Sequence, residues 1–176
     1  MEEKIHLMKI LVPVDFRSTS FAAYCFANHL ASALGAELVL LHVITSKAKI
    51  NEYLGGELLD QMKHFSKVRL LDFAEKYPIE RGIGLEDVET KYLVSYGEPG
   101  EEIQKVADLH DYDLIVMGIR DKINFVTRLT GSTATEVMNG ASVPVIMVHA
   151  NSRFPIPKKV VFAFDKIPVS YTHLRA

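Results

Sequence analysis

The chain has 176 residues, 48% hydrophobic and 24% charged, a length that suits one complete domain and leaves little room for a second. Twenty Lys and Arg stand against 22 Asp and Glu, so the formal charge of -2 offers no general basic field to hold a polyanion, and nucleic acid drops out as a leading partner. No uncharged apolar run approaches the roughly 20 residues that span a bilayer, one cysteine excludes an intramolecular disulfide, and seven scattered histidines lack zinc-ligand spacing; the expectation is a soluble, cytoplasmic protein without a membrane partner.

Residues 9–14 form the first of five short apolar runs, which ends at Asp15. Ala23, Phe26, Ala27, Leu30, Ala31 and Leu34 then recur at helical spacing, and Gly35 stands where a helix stops on a left-handed residue. Residues 38–44 read as the second strand and 45–56 as a mobile loop. Leu59, Met62, Leu70, Phe73 and Tyr77 mark a longer helix that starts near Glu57, is interrupted in its stripe by Ser66 and ends at Pro78. Residues 88–94 are the third strand, and Pro99 opens a helix with Ile103, Val106 and Ala107 on one face. Glu101 and Glu102 suit the positive end of its dipole and are read as structural. Residues 114–117 make the fourth strand, Ala134, Val137, Met138 and Ala141 define a last helix after Gly131, and residues 143–148 make the fifth strand.

Apolar runs alternating with amphipathic stretches predict an α/β fold: a three-layer α/β/α sandwich on a five-stranded parallel sheet, Rossmann-like in its winding. Right-handed crossovers place ligands outside the carboxyl ends of the strands, near the point where strand order reverses.

Shifting the chain by 150 places residues 9–15 over 159–165: Lys and Asp coincide, and four of the five positions between them are apolar in both. A repeat changes the domain count. The expected organisation is one domain over residues 5–150, the first strand of a truncated second copy at 158–166, and an unstructured tail at 167–176 that is in part foreign to the gene. A sixth edge strand with a frayed terminus is the alternative.

Asp15, with Pro13 and Val14 before it, lies where a strand end presents polar groups to a ligand; equally, Asp15 or a hydroxyl of residues 18–20 caps the first helix. Met117 and Gly118 close the fourth strand, while Gly131, Ser132 and Thr133 open the last helix, whose free N–H groups favour an anion. Taken singly, Gly118 reads as a turn and Ser132 as an ordinary N-cap; their spacing makes a phosphate loop of them. No Gly-x-Ser-x-Gly elbow, His-Glu-x-x-His or Walker motif occurs, and Cys25 reads as a buried small hydrophobe. His29, His42 and His149 carry no catalytic assignment. A phospho-acceptor receiver domain is rejected, because the third strand ends in Ser95-Tyr-Gly97 and the fifth carries no Lys.

With these residues the chain resembles the universal stress protein family, whose nucleotide-binding members carry Gly-x2-Gly-x9-Gly-Ser/Thr after the fourth strand and an Asp at the end of the first. The resemblance covers about residues 5 to 150. It implies a stress-response regulatory domain that binds ATP or another adenine nucleotide, with Mg2+, and pairs as a homodimer, by way of the last strand, or with a second domain of its kind. It further implies that Asp15 and the Val43 backbone hold adenine while Gly118, Gly131, Ser132 and Thr133 receive ribose and phosphates. Enzymatic activity is not implied beyond a slow ATP hydrolysis.

The chain departs from the motif at Asp121, which stands where the second glycine belongs. A non-glycine residue held left-handed costs about 1–2 kcal/mol. A carboxylate about 5 Å from a phosphate charge adds about 3 kcal/mol of repulsion at an effective dielectric near 20, equivalent to about a hundredfold in affinity. Arg120, Lys122 and Arg128 in the same stretch, or a magnesium ion, could offset it; as a solvated face they would not. A nucleotide-free module acting by dimerisation or protein interaction is therefore the second functional reading.

Overall fold

A computed structural model describes residues 7–45, 55–119 and 132–152. Its elements follow in the order β1 (Lys9–Pro13), α1 (Ser18–Leu34), β2 (Glu37–Thr45), α2 (Gly55–Glu80), β3 (Thr90–Gly97), α3 (Pro99–Leu109), β4 (Leu114–Ile119), α4 (Ser132–Gly140) and β5 (Val145–His149). The five strands form one parallel sheet in the order β3-β2-β1-β4-β5. Alternate side chains of the central strands enter two separate cores. Ile10, Val12, Leu38, Leu40, Leu114 and Val116 pack against α1 and α2, whereas Leu11, Val39, Leu41 and Ile115 meet Ile103, Val106 and Ala107 of α3 and Val137 of α4. Burial on both faces is why these strands read as unbroken apolar runs, and it makes the molecule the three-layer sandwich the sequence predicts.

Two helix stops, those of α1 and α2, follow one geometry. Gly35 (φ 61°) and Gly82 (φ 64°) are left-handed, and the residues after them, Ala36 and Ile83, return their N–H groups to Ala31 and Pro78. The connection that follows Gly82 is pinned to α1 by one side chain. Buried Asn28 donates from Nδ2 to the Glu86 carbonyl at 3.1 Å and accepts the Glu86 N–H on Oδ1 at 2.8 Å.

Several boundaries differ from the sequence reading. The helix expected to end at Pro78 continues to Glu80, and the loop expected over residues 45–56 is already helical at Gly55. Proline removes the N–H that the Ala74 carbonyl would accept, and the buried Tyr24 hydroxyl donates to that carbonyl at 3.4 Å instead. Ser66, read as a break in the apolar stripe, is itself buried. Strand β3 runs from Thr90 to Gly97 rather than over 88–94, because its ladder to β2 extends from Leu38↔Thr90 to Thr45↔Gly97. As an edge strand it is only half-buried and accepts Ser95, Tyr96 and Gly97. Strand β4 continues through Ile119, where Gly118↔Val148 and Ile119↔His149 still pair with β5. Strand β5 starts at Val145, after Pro144, which has no N–H for a ladder and instead accepts Ile115 N–H at 3.0 Å.

Among the described residues no helix is long and apolar enough to cross a membrane. The repeat strand expected at 158–166 and the tail at 167–176 lie outside the described residues, as do Arg120, Asp121 and Gly131.

Candidate functional site

Strand order reverses between β1 and β4. The chain winds outward from β1 through β2 to β3, then crosses to β4 and β5 on the other side. The β1–β4 ladder spans Ile10↔Leu114 and Leu11↔Ile115 and stops short of the carboxyl ends of both strands. Pro13, Val14 and Asp15 leave the sheet on one side of this gap and Met117 and Gly118 on the other. Val43 lies on the far side of β1, near the end of β2, buried on the α3/α4 face. α4 starts at Ser132, and Thr133 in its first turn is half-buried. Of the sequence candidates, Pro13, Val14, Asp15, Val43, Met117 and Gly118 thus gather at one end of the sheet.

Asp15 does not cap α1 in the ordinary way. Its Oδ1 accepts the N–H of Arg17 at 3.1 Å, and Arg17 is the N-cap residue itself, with no side-chain cap of its own. The Arg17 guanidinium also reaches Asp15 Oδ2 at 3.6 Å, with both side chains more than half exposed. An ion pair so exposed contributes little to stability, but the turn holds the carboxylate at the mouth of the gap. Between the two stands Phe16, at φ 62°. A bulky side chain in the left-handed region is strained and persists only when its surroundings enforce it.

Those surroundings come from β2 and α2. The Phe16 ring lies 4.5 Å from the His42 ring and 5.8 Å from that of Phe73, and the Arg69 guanidinium covers it at 4.0 Å. His42 Nδ1 is 2.8 Å from the Val14 carbonyl, and the Val14 N–H donates to the Leu41 carbonyl at 2.7 Å. Burial holds the His42 pKa below its ordinary value, with the bond to the Val14 carbonyl opposing, so the ring is neutral near pH 7 and donates from Nδ1. The sequence offered no signal for Phe16 or Arg69, and His42 passed as one histidine among seven. Its position one residue before Val43 was the available hint, since strand alternation turns the two side chains to opposite faces.

Gly118 has a role the sequence reading did not assign. A Cβ on this residue would fall 2.2 Å from the Thr19 carbonyl oxygen and 2.3 Å from its carbon, so the first turn of α1 lies directly upon β4. Gly118 is therefore not a turn residue. It sits within the strand, and its missing side chain admits a helix backbone.

Beside this end of the sheet, a cavity of about 410 Å³ opens between His42–Thr45 of β2 and Met62, Phe65, Ser66 and Arg69 of α2. Val43 is the one candidate that lines it. Among the described residues no three His, Cys, Asp or Glu side chains converge as metal ligands. Cys25 is fully buried, and burial pushes its thiol up to about 12, consistent with a packing role. Glu102 accepts hydrogen bonds from the Ser95 hydroxyl and Lys105 Nζ, and the first of these holds its carboxyl below the usual range, so it ties α3 to β3 as a structural acid.

Comparison with known proteins converges on one family. A family model described as the universal stress protein family matches residues 6–149. A universal stress protein of Methanocaldococcus jannaschii is 30% identical over 151 residues, covering 80% of this chain and 93% of its own. One of Bacillus subtilis is 29% identical over 150 residues, covering 80% and 98%. Among solved structures, universal stress protein UspA from Lactobacillus plantarum superposes with a TM-score of 0.61 at 28% identity, over 81% of this chain and 98% of that one. A universal stress protein in complex with cAMP (TM-score 0.55, 19% identity, 82% and 98% covered) shares the fold. So does one from Archaeoglobus fulgidus in complex with dAMP (TM-score 0.51, 22% identity, 82% and 98% covered).

Proposed function

The chain belongs to the universal stress protein family, and from that premise we propose that the carboxyl end of its sheet binds an adenine nucleotide, with ATP and Mg2+ the pair to test, as a stress-response regulatory domain. The observation that carries the reading is convergence. Asp15 and Gly118 come from separate segments to the two sides of the point where strand order reverses, with Val43 on the neighbouring strand β2, and that is where doubly wound sheets take their ligands.

In this reading Asp15 and the Val43 backbone hold adenine, Pro13, Val14 and Met117 wall the pocket, and Gly118, Gly131, Ser132 and Thr133 receive ribose and phosphates. Arg120 supplies the counter-charge that Asp121 makes necessary. The relatives solved with cAMP and with dAMP both hold adenine nucleotides, which supports the same chemistry here. Mg2+ would arrive on the phosphates, with Asp121 as the carboxylate that could bridge to it. The protein acts by binding rather than turnover, with slow ATP hydrolysis as its upper limit. It works in the cytoplasm, as a homodimer or beside a second domain of the same kind.

Isothermal titration of the folded protein at about 100 μM with ATP and Mg2+ is the test, because a micromolar site fills almost stoichiometrically at that concentration. No heat, together with no adenine nucleotide in an acid extract of the purified protein, overturns the reading. A nucleotide-free module that acts by dimerisation or protein interaction then takes its place. That second reading is favoured by Arg17, which already engages both oxygens of Asp15 within its own turn, and by Asp121 at a motif glycine.

A further inference from the structure

The residues on either side of Asp15 are both held by one side chain that neither the sequence motif nor the proposed pocket includes. His42 Nδ1 donates to the Val14 carbonyl at 2.8 Å, and that carbonyl belongs to the peptide unit from which Asp15 begins. The same ring lies 4.5 Å from the ring of Phe16, the residue that leaves Asp15 at φ 62°. β1 ends at Pro13, and beyond the strand, among the described residues, the hydrogen bonds that continue the tie to β2 are the Val14 N–H to the Leu41 carbonyl, at 2.7 Å, and the His42 bond. Asp15 itself receives its bonds from Arg17, on the exposed side of the turn.

We propose that His42 is the positioning residue of this site: its hydrogen bond to the Val14 carbonyl sets the direction in which the Asp15 carboxylate is presented to the ligand, while its ring packs on Phe16. The inference deepens the adenine-nucleotide reading and rests on it only for the identity of the ligand. A left-handed Phe relaxes when its enforcing contacts are removed, and the peptide plane before Asp15 loses the hydrogen bond that orients its carbonyl once position 42 has no donor. Arg69, stacked over the outer face of Phe16 at 4.0 Å, closes the stack but makes no bond to the Val14–Asp15 peptide. The directional part of the hold therefore belongs to the imidazole.

The test uses the full chain with two substitutions. His42→Leu fills the space but removes the donor; His42→Asn keeps an N–H donor at the position of Nδ1. The first readout needs no nucleotide: amide hydrogen exchange at Arg17, whose N–H is bonded to Asp15 Oδ1. His42→Leu should speed that exchange about tenfold, the value of one lost hydrogen bond, while Leu11 and Ile115 in the core keep their protection and His42→Asn keeps Arg17 protected. The second readout is the ratio of ATP to GTP affinity, which should fall in His42→Leu and return in His42→Asn; a residue needed only for folding would weaken both nucleotides alike. Unchanged Arg17 exchange in folded His42→Leu overturns the inference whether or not nucleotide binds. If His42→Leu fails to fold, loss of Arg17 protection in folded His42→Asn overturns it. If the wild-type protein binds neither nucleotide but Arg17 exchange responds as stated, the nucleotide reading fails and the positioning role stands.

Discussion

Gly118→Ala tests the account of the fold and of the site together. The added Cβ would stand 2.2 Å from the Thr19 oxygen, 2.3 Å from its carbon and 2.8 Å from the Ser20 nitrogen. All three are backbone atoms, so no side chain can swing aside. Contacts below 3.0 Å are essentially never seen for a Cβ, and in a close-packed interior α1 must therefore retreat by about 1 Å. Overpacking of this kind costs about 1–3 kcal/mol, and a rigid helix backbone puts the substitution near the upper end. For a domain of this size each kcal/mol lowers the melting temperature by about 2–4 °C, which gives a fall of about 6–12 °C. Thermal unfolding by circular dichroism without nucleotide is the assay. Gly56→Ala is the control, because nothing lies within 4 Å of a Cβ there and the residue is helical; it should be neutral or stabilising by up to about 1 kcal/mol. A Gly118→Ala protein that melts within about 1 °C of wild type would refute the close approach of α1 to β4.

Four further outcomes are expected, the first from the sequence motif and the others from the geometry. Asp121→Gly should tighten ATP binding by up to about a hundredfold, the whole of the electrostatic opposition worked above, and weaker binding by titration would reverse the argument. Asn28→Ala removes both bonds to Glu86 and should lower unfolding stability in urea by about 2–3 kcal/mol. Tyr24→Phe deprives the Ala74 carbonyl of its donor and should cost about 1 kcal/mol; adding Pro78→Ala, which restores the helical N–H, should recover most of it in a double-mutant cycle. His42 titrates below its ordinary 6.5 because it is buried and beside Arg69, with the Val14 carbonyl and Asp15 opposing. The unfolded chain therefore takes up the proton first, and the stability of wild type relative to His42→Asn should decline as pH falls through 6.5, measured as melting temperature against pH. A difference independent of pH would show that His42 is not buried as described.

Legibility tracked burial. Ile10–Val12, Leu38–Leu41 and Leu114–Val116 are covered on both faces, so their sequence is apolar at every position and the strands announce themselves. At the sheet edges that signal fades: β3 and β5 are half-buried, and their ends were misplaced by a few residues. Pro78 misled for a different reason. Proline speaks for local geometry, but whether a helix survives it depends on a donor from another element, here Tyr24 from α1. The strand-end candidates Asp15 and Gly118 were legible because position at the end of an apolar run is itself a sequence property, whereas Val43, inside its run, came only from the family resemblance. Phe16, His42 and Arg69 were not, since only folding brings β1, β2 and α2 to one point.

Gly118 and Asp15 also prove to be mechanically joined, which changes how any loss of binding at this site must be read. α1 begins at Ser18, directly after the Asp15–Arg17 turn, and its Thr19 and Ser20 backbone lies on Gly118. A side chain at position 118 pushes the helix start, and the helix start carries the turn that aims Asp15. Weak nucleotide binding by Gly118→Ala would thus arise without any phosphate ever touching Gly118. The two causes separate at the Arg17 amide. Displacement of α1 loosens its bond to Asp15 Oδ1 and raises its hydrogen-exchange rate in the nucleotide-free protein, whereas loss of a direct phosphate contact leaves that rate unchanged. The 2.2 Å approach to a backbone oxygen favours displacement, and an Arg17 amide as protected in Gly118→Ala as in wild type would decide against it.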